Sequence, residues 1–278
     1  MKHLKLFKTQ AEFDLETLEL PNVSYIEENS GIYYHPQEDE IDYSKEYFTI
    51  EALEDGLTVK LSRNASQYSV DNDTWISLSS DSTTPTINTG QKIQFKITKP
   101  TISTSYGIGT FTISKPCNIE GNIMSLLYGD NFVGQTDLTG ENYVFYNLFK
   151  NCTTIKNAKN LVLPATILAN DCYVRMFNGC TSLVTAPELP ATILTNECYS
   201  SMFFGCTSLT SAPELPATTL TPSCYSAMFK NCASLVNAPK LSATTLASRC
   251  YSNMFYDCKS LTVAPELPAT ILTDECYN

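Results

Sequence analysis

Cysteine is the reactive residue type that this 278-residue chain repeats most regularly. Ten of its eleven cysteines belong to a 26-residue repeat, at Cys152, Cys172, Cys180, Cys198, Cys206, Cys224, Cys232, Cys250, Cys258 and Cys276. The repeats contain no C-x-x-C and no histidine, which argues against a zinc site and against a Cys–His nucleophile. We expect buried free thiols, with disulfides between copies as the alternative, and we expect no metal or other cofactor.

A second chemical possibility lies in carboxylates of neighbouring copies. Glu188 and Glu214 occupy the same repeat position, so stacked copies would place them about 5 Å apart. Retaining glycosidases use a carboxylate pair at that separation. Lys240 and Glu266 hold the position in the next copies, which is more typical of a solvent-exposed face. We therefore expect no catalytic residue, and a polysaccharide-acting enzyme is the third interpretation.

The repeat itself sets the elements that would position these residues. The unit reads C-Y-x-x-M-F-x-x-C-x-S-L-x-x-A-P-x-L-x-A-T-x-L, and a degenerate copy, two residues longer, spans 144–171. "CYSSMFFGC" predicts short helical turns ended by Gly205, and "SLTSA" predicts an extended run ended by Pro213. Each copy would bury its apolar face against its neighbours, as in a solenoid. The residues expected to point inward are Met202, Phe203, Leu209, Leu215 and Leu220.

Three columns of the repeat vary between copies, whereas the apolar columns hardly change. The first column contains Asn178, Phe204, Lys230 and Tyr256. The second contains Thr185, Ser211, Asn237 and Val263, and the third contains Asn196, Pro222, Ser248 and Asp274. A rigid stack would present such columns as strips of surface, and aromatic residues suit contacts with protein or sugar. The first two columns are the predicted ligand-binding residues; ordinary drift at exposed sites is the alternative.

The region before the repeats has a different pattern. Short runs rich in β-branched and aromatic residues, "YFTIEAL", "LTVKLS", "QYSVD", "TWISLS" and "KIQFKIT", predict an immunoglobulin-like β-sandwich over 45–116 with Trp75 in its core. "DNDT" at 71–74 predicts a hairpin turn rather than a calcium loop, because the other ligands are missing. The predicted domains are an acidic head at 1–44, this sandwich, a linker or cap at 117–140 containing "IMSLLYG", and the repeats at 141–278.

The charge distribution limits the classes of partner. The net charge is −11, and residues 1–50 hold 11 acidic residues against 4 lysines, which argues against nucleic acid. Neither a transmembrane stretch nor a signal peptide is expected from the hydropathy pattern. The last copy stops at "CYN", so we expect self-association through an uncapped C-terminal coil.

Two stretches resemble known proteins. "MFFGCTSLTSAPELP" and its copies, over 141–278, resemble the BspA-like leucine-rich repeats of bacterial surface proteins, although the 26-residue period is longer than that family's usual one. "LFKTQAEFD" and "LELPNVSYIEENSGIYYHP", within 6–36, are similar to tail-associated and surface proteins of gut Bacteroidales and their phages. The first resemblance implies a leucine-rich-repeat solenoid used for binding or adhesion, without catalytic residues.

Together these features predict a mainly β protein with short helical turns, in which an immunoglobulin-like sandwich precedes a leucine-rich-repeat solenoid. The predicted function is non-catalytic recognition of a protein or glycan on a cell surface. The alternative is a structural component of a phage tail or fibre. The expected location is a cell surface or a phage particle.

Overall fold

The computed structural model describes residues 6–7, 23–28, 31–36, 41–70, 72, 74–97 and 99–277. The chain divides into two compact units, Met1–Asp42 and Tyr43–Asn278. It is mainly β, as the sequence predicted, and its described residues contain one short α-helix. In these residues no helix has both the length and the apolar character needed to cross a bilayer.

The first unit contains a three-stranded antiparallel sheet. Its strands are β1 (Leu6–Phe7), β2 (Val23–Glu28) and β3 (Gly31–Pro36), in the order β1-β3-β2. Residues 1–5, 8–22, 29–30 and 37–40 of the predicted acidic head, which include His3, lie outside the described residues.

Residues 46–124 of the second unit form what we call the sheet region. Its strands are β4 (Phe48–Ala52), β5 (Val59–Leu61), β6 (Ser66–Ser69), β7 (Ile76–Leu78), β8 (Lys92–Lys96), β9 (Phe111–Ile113) and β10 (Cys117–Asn122). The strands from β10 to β7 pair antiparallel in the order β10-β4-β8-β6-β7, while β5 pairs with β9. Each of the five runs that the sequence predicted to be extended overlaps one of these strands.

Alternating apolar residues explain why these segments are strands. In β4, Phe48, Ile50 and Ala52 are fully buried, and in β9 the buried Phe111 and Ile113 flank an exposed threonine. This period of two places one face of each strand in the core.

The prediction that Trp75 packs in the core is wrong. Trp75 is half-buried at the edge of the sheet region, where its ring contacts the Tyr47 ring with centroids 4.7 Å apart. The Lys96 ammonium lies 4.1 Å from the centroid of the Trp75 ring and 2.6 Å from a carboxylate oxygen of Asp130. A tryptophan next to an ammonium is stabilised by a cation–π contact at the surface, which a sequence pattern does not reveal. Asp71 and Asp73 of the predicted hairpin turn lie outside the described residues.

Strand β10 joins the sheet region to the repeats. One edge pairs antiparallel with β4, and the other pairs parallel with β11 (Ile155–Asn157) and β12 (Leu161–Val162) of the first repeat copy. Gly121 has φ +77°, and a Cβ at this position would lie 2.0 Å from the Tyr47 carbonyl oxygen, so only glycine fits. One hydrophobic core therefore runs from the sheet region into the repeats.

The first copy is also covered by an aromatic residue of β9. The Phe111 ring stacks on the Phe149 ring with centroids 5.7 Å apart. The backbone N–H of Phe111 donates to the Leu148 carbonyl. The helix α1 (Ser125–Tyr128), which contains the predicted "SLLY" segment, lies against β8. Within the predicted cap, β10 and the bridge from Asp137 to Ile167 are the parts that pair with the first copy.

Residues 144–277 form what we call the repeat stack, in which each copy lies in register on the next. Phenylalanine rings 26 residues apart stack face to face: Phe203 lies 5.4 Å from Phe177 and 5.6 Å from Phe229, with interplanar angles of 7° and 1°. A parallel tyrosine column runs beside it: Tyr173, Tyr199, Tyr225, Tyr251 and Tyr277. All five residues predicted to point inward are buried.

The prediction of helical turns in "CYSSMFFGC" is wrong. These residues form consecutive turns in which alternate N–H groups donate to the next copy, for example from Tyr199 to the Cys224 carbonyl and from Phe203 to the Met228 carbonyl. A left-handed residue recurs every four positions, at Glu197, Ser201 and Gly205, with φ between +54° and +72°. In an α-helix the N–H groups would donate within the same copy, whereas these turns leave alternate N–H groups free to donate to the next copy.

The cysteines fill small apolar positions beside the aromatic columns. Ten are buried and Cys258 is half-buried, and all eleven are free thiols. The thiols of Cys180, Cys206 and Cys232 each donate to a phenylalanine carbonyl of the preceding copy at 3.1 Å. Burial raises the pKa of Cys172, Cys224 and Cys232 to about 12. Protonated, enclosed thiols of this kind are poor nucleophiles.

Candidate binding groove

One face of the repeat stack carries a continuous groove. We call it the proline groove because it is lined by Pro187, Pro213, Pro239 and Pro265, together with the residues beside them. Its two main compartments have volumes of about 540 Å³ and 500 Å³, and Glu214 lines both. A smaller compartment of about 130 Å³ continues toward the first copy, past Lys159 and Glu188.

The local sequence explains the shape of the groove. Before Pro187, Pro213 and Pro239 the chain makes a short parallel bridge to an adjacent copy, between Asn157 and Thr185 and between Ser211 and Asn237. Proline has no N–H for a ladder, so pairing ends there and the chain turns outward. The leucine that follows, such as Leu189 or Leu215, returns to the core. The prolines and the preceding alanines are left as apolar walls.

The second variable column lies in this groove. Thr185 and Ser211 line the larger compartment, and Asn237 and Val263 line the next one. The column of Glu188, Glu214, Lys240 and Glu266, which the sequence raised only as a possible enzyme site, lies in the same groove. Stacking thus brings together two columns that are three residues apart in each copy.

The charged side chains of the groove have no partners within the described part of the chain. Glu188, Glu214 and Lys240 are exposed and make no ion pair or side-chain hydrogen bond there. Two carboxylates elsewhere are neutralised by a cation: Glu275 binds Arg249 at 2.7 Å, and Asp130 binds Lys96. The groove therefore keeps charges available for a ligand.

The first variable column lies on the turn side of each copy and does not line the two main compartments. The carbonyls of Asn178, Phe204, Lys230 and Tyr256 accept N–H groups from the preceding copy at 2.7–2.8 Å. Asn178, Phe204 and Lys230 are only half-exposed, whereas Tyr256 is 61% exposed with the Lys230 ammonium 4.6 Å from its ring centroid. Tyr256 lines a separate cavity of about 340 Å³ beside Phe255 and Leu267.

The third variable column is also outside the groove. Its carbonyls accept N–H groups of the preceding copy, and its side chains, Asn196, Pro222, Ser248 and Asp274, are exposed. The structure therefore assigns the three columns to different surfaces, and only the second column lines both main compartments of the proline groove.

Sequence reasoning missed several lining residues. Pro213 and the prolines at its position in the other copies were interpreted only as strand terminators, and Pro190 was not considered, although Pro187, Pro190 and Pro213 also form an apolar wall. Lys159 was missed because it stands near the two-residue insertion of the first copy, outside the 26-residue alignment. That insertion was the available signal.

The described residues contain no group of three or more His, Cys, Asp or Glu side chains placed to hold a metal ion. The features that the groove offers are apolar walls, hydroxyl and amide groups, and unpaired charges. Such an arrangement can bind a ligand along its length.

Comparison with protein families, characterised proteins and solved structures finds no match to this chain.

Proposed function

We propose that this chain is a non-catalytic recognition protein whose repeat stack binds a protein or glycan on a cell surface through the proline groove. In this proposal residues 45–116 are an immunoglobulin-like sandwich that acts as a spacer. The stack is a leucine-rich-repeat solenoid of the BspA-like type, and the protein acts at a cell surface or on a phage particle.

One observation carries the proposal. The columns that pack in the interior, such as Phe203 and Cys206, are nearly invariant between copies, whereas Thr185, Ser211 and Asn237 vary and line one groove. Variation on a rigid, repeated frame changes which groups face a ligand while the fold stays the same.

The groove supports binding better than hydrolysis. Glu188 and Glu214 line one compartment, but neither carboxyl has a hydrogen-bond partner in the described residues that would orient it or hold a proton. Glycoside hydrolysis needs one carboxyl as an acid and the other as a nucleophile, each in a defined position. A polysaccharide-acting enzyme is therefore not our proposal.

The test is binding of the full chain to bacterial cells, purified surface glycans and matrix proteins. The full chain is required because β10 pairs with both the sheet region and the first copy. Replacing Ser211→Tyr together with Asn237→Tyr would fill the groove, and we expect binding to fall at least about tenfold, or about 1.4 kcal/mol.

A matched control is Pro222→Tyr with Ser248→Tyr, which adds the same rings to exposed positions outside the groove. Phe204→Ala with Tyr256→Ala tests the first variable column in the same assay. Equal binding by the groove variant and the control would contradict the proposal. Absence of binding, with residues 1–44 holding the chain in a larger assembly, would favour a structural part of a phage tail.

A further inference from the structure

The largest compartment of the proline groove has a chemically uneven lining. Its walls are apolar, formed by Ala186, Pro187, Pro190, Ala212, Pro213 and Pro216. Two carboxylates, Glu188 and Glu214, and two hydroxyls, Thr185 and Ser211, are the polar groups that the repeats contribute. Lys159 is the cation that lines this compartment. We call this part of the groove the acidic compartment.

The two carboxylates come from adjacent copies at the same repeat position. In the Phe and Tyr columns, ring centroids of adjacent copies are 5.3–5.9 Å apart. Two unpaired carboxylates at about that spacing repel each other, and a cation placed between them would relieve the repulsion. Charge complementarity therefore requires a positively charged ligand group.

The apolar walls restrict the form of that group. A bare inorganic cation gains nothing from proline and alanine surfaces, whereas a cation on an aliphatic stem can lay the stem along them. Arginine fits better than lysine, since its planar guanidinium presents separate N–H edges that can each meet one carboxylate.

We propose that the acidic compartment binds an arginine side chain of an extended peptide segment in a protein partner, with its guanidinium between Glu188 and Glu214. This proposal rests on the proposed function, because it identifies the ligand class of the same groove. In an extended peptide, side chains on one face are about 6.6–7 Å apart. One arginine therefore occupies the compartment, and its neighbours lie over the next copies.

The next copy explains why one arginine is expected rather than a row. Lys240 replaces the glutamate at this position and lines the following compartment with Asn237 and Val263. An ammonium there repels a second arginine, so the expected peptide has no basic residue at the position that lies over Lys240; Glu266 lines the same compartment one copy further on. This reversal of charge fixes the register of the peptide in the groove.

The test is fluorescence anisotropy of the full chain with labelled five-residue peptides, Ala-Ala-Arg-Ala-Ala and its lysine, citrulline and glutamine analogues. The arginine peptide is expected to bind most tightly, and its affinity should weaken as salt rises. Glu188→Gln and Glu214→Gln should each weaken the arginine peptide about tenfold. Lys159→Gln should strengthen it about threefold, because it removes the nearby positive charge.

The matched control is Glu197→Gln. Glu197 is also an exposed glutamate of the repeat stack, it lies outside the groove, and its substitution changes the net charge equally. Unchanged affinity in this variant would exclude a general attraction of basic peptides to an acidic protein. Binding of the citrulline peptide as tight as that of the arginine peptide would overturn the proposal.

Two further outcomes separate this proposal from the proposed function. If a deacetylated chito-oligosaccharide binds the compartment more tightly than the arginine peptide, the ligand is a cationic glycan and the peptide assignment is overturned. If cells or matrix proteins bind in a manner blocked by Ser211→Tyr with Asn237→Tyr but unaffected by Glu188→Gln with Glu214→Gln, the groove is a binding site and the arginine proposal fails.

Discussion

The sheet region and the repeat stack are both β structures, but their residues find partners in different ways. In the sheet region Phe48 lies opposite Phe95, and Ile50 lies opposite Ile119, at irregular distances along the chain. In the stack the partner is the equivalent residue of the next copy, as Phe203 lies between Phe177 and Phe229. Periodic pairing can be found in the sequence by alignment, whereas irregular pairing depends on the whole fold.

Buried hydroxyls at the two regions can have different surroundings, although Ser66 in β6 is also buried without a hydrogen-bond partner in the described residues. Ser125 of α1, against the sheet region, accepts the Phe48 N–H and donates to the Phe95 carbonyl, each at 3.0 Å. In the stack the hydroxyls of Tyr173 and Tyr225 are buried without a hydrogen-bond partner in the described residues.

The largest expected difference between the regions is their response to alkali. The stack buries nine thiols, and burial raises the pKa of three of them, Cys172, Cys224 and Cys232, to about 12. The unfolded chain releases these protons near pH 8.5, so the stabilisation is complete below that pH and is lost as pH rises toward 12. Each such thiol should cost about 1.4 kcal/mol of unfolding free energy per pH unit in this window.

Hydrogen–deuterium exchange and urea unfolding, measured in reductant between pH 7 and 11, would check this. The stack should lose protection before the strands β6 and β7, which contain no cysteine. Cys232→Ala removes one titrating thiol, so the loss of unfolding free energy per pH unit should become smaller by about 1.4 kcal/mol. A stability that does not change up to pH 11 would show that the thiols are accessible in the folded state.

Removing one ring from the phenylalanine column would test whether the stability of the stack depends more on its central copies than on its last copy. Phe203→Ala removes a fully buried ring that contacts a neighbour on each side, and we expect a loss of about 3–5 kcal/mol of unfolding free energy. Phe255 is half-buried and stacks on Phe229, so Phe255→Ala should cost about 1 kcal/mol. Chemical denaturation measures the unfolding free energy of both variants. Equal losses would contradict the expectation that the central ring contributes more than the last one.

The joint between the regions can be tested at a glycine. Gly121→Ala would require a left-handed alanine whose Cβ lies 2.0 Å from the Tyr47 carbonyl oxygen. We expect a loss of about 3 kcal/mol, measured by thermal or urea unfolding. Gly134→Ala is the matched control, since Gly134 has φ +80° but no heavy atom within 4 Å of the added Cβ. It should cost about 1 kcal/mol; if both variants lose the same amount, β10 can shift away from Tyr47.

The smallest expected effects concern the two kinds of buried hydroxyl, and they differ in sign. Ser125→Ala leaves the buried Phe48 N–H without an acceptor and should cost about 1–3 kcal/mol. Tyr225→Phe removes a hydroxyl that has no hydrogen-bond partner in the described residues, and should leave stability unchanged or raise it by about 1 kcal/mol. Urea midpoints at pH 7 measure both. A destabilising Tyr225→Phe would indicate a bound water at the hydroxyl.

Much of the interior could be predicted because its signal is local or periodic. The five extended runs of the sheet region overlap strands, and the inward positions of the repeat, such as Phe203 and Leu209, are buried. Gly205, which the sequence placed at the end of the turns, has a positive φ, a conformation that costs glycine little free energy. The position of Trp75 was predicted wrongly because tryptophan packs equally well in a core and against an ammonium, here that of the buried Lys96.

The candidate site could be predicted only in part. The sequence shows that Thr185, Ser211 and Asn237 vary, and that Glu188 and Glu214 share a repeat position, but it shows variation just as clearly for Asn178 and Phe204. Which columns face one groove depends on the path of the chain around each copy. That path includes left-handed residues such as Ser201, whose residue type does not favour positive φ.

By itself the sequence determined the period of the stack, the identity of its buried columns and the mainly β character of the chain. These follow from residue type and spacing, since an apolar face repeated every 26 residues can be buried only against its own copies. The tertiary structure alone decided that the copies turn without helices, that β10 joins the two regions, and that one variable column meets a column of charges in the proline groove. Backbone hydrogen bonds between copies determine which way each side chain points, and those bonds form only when the copies have stacked.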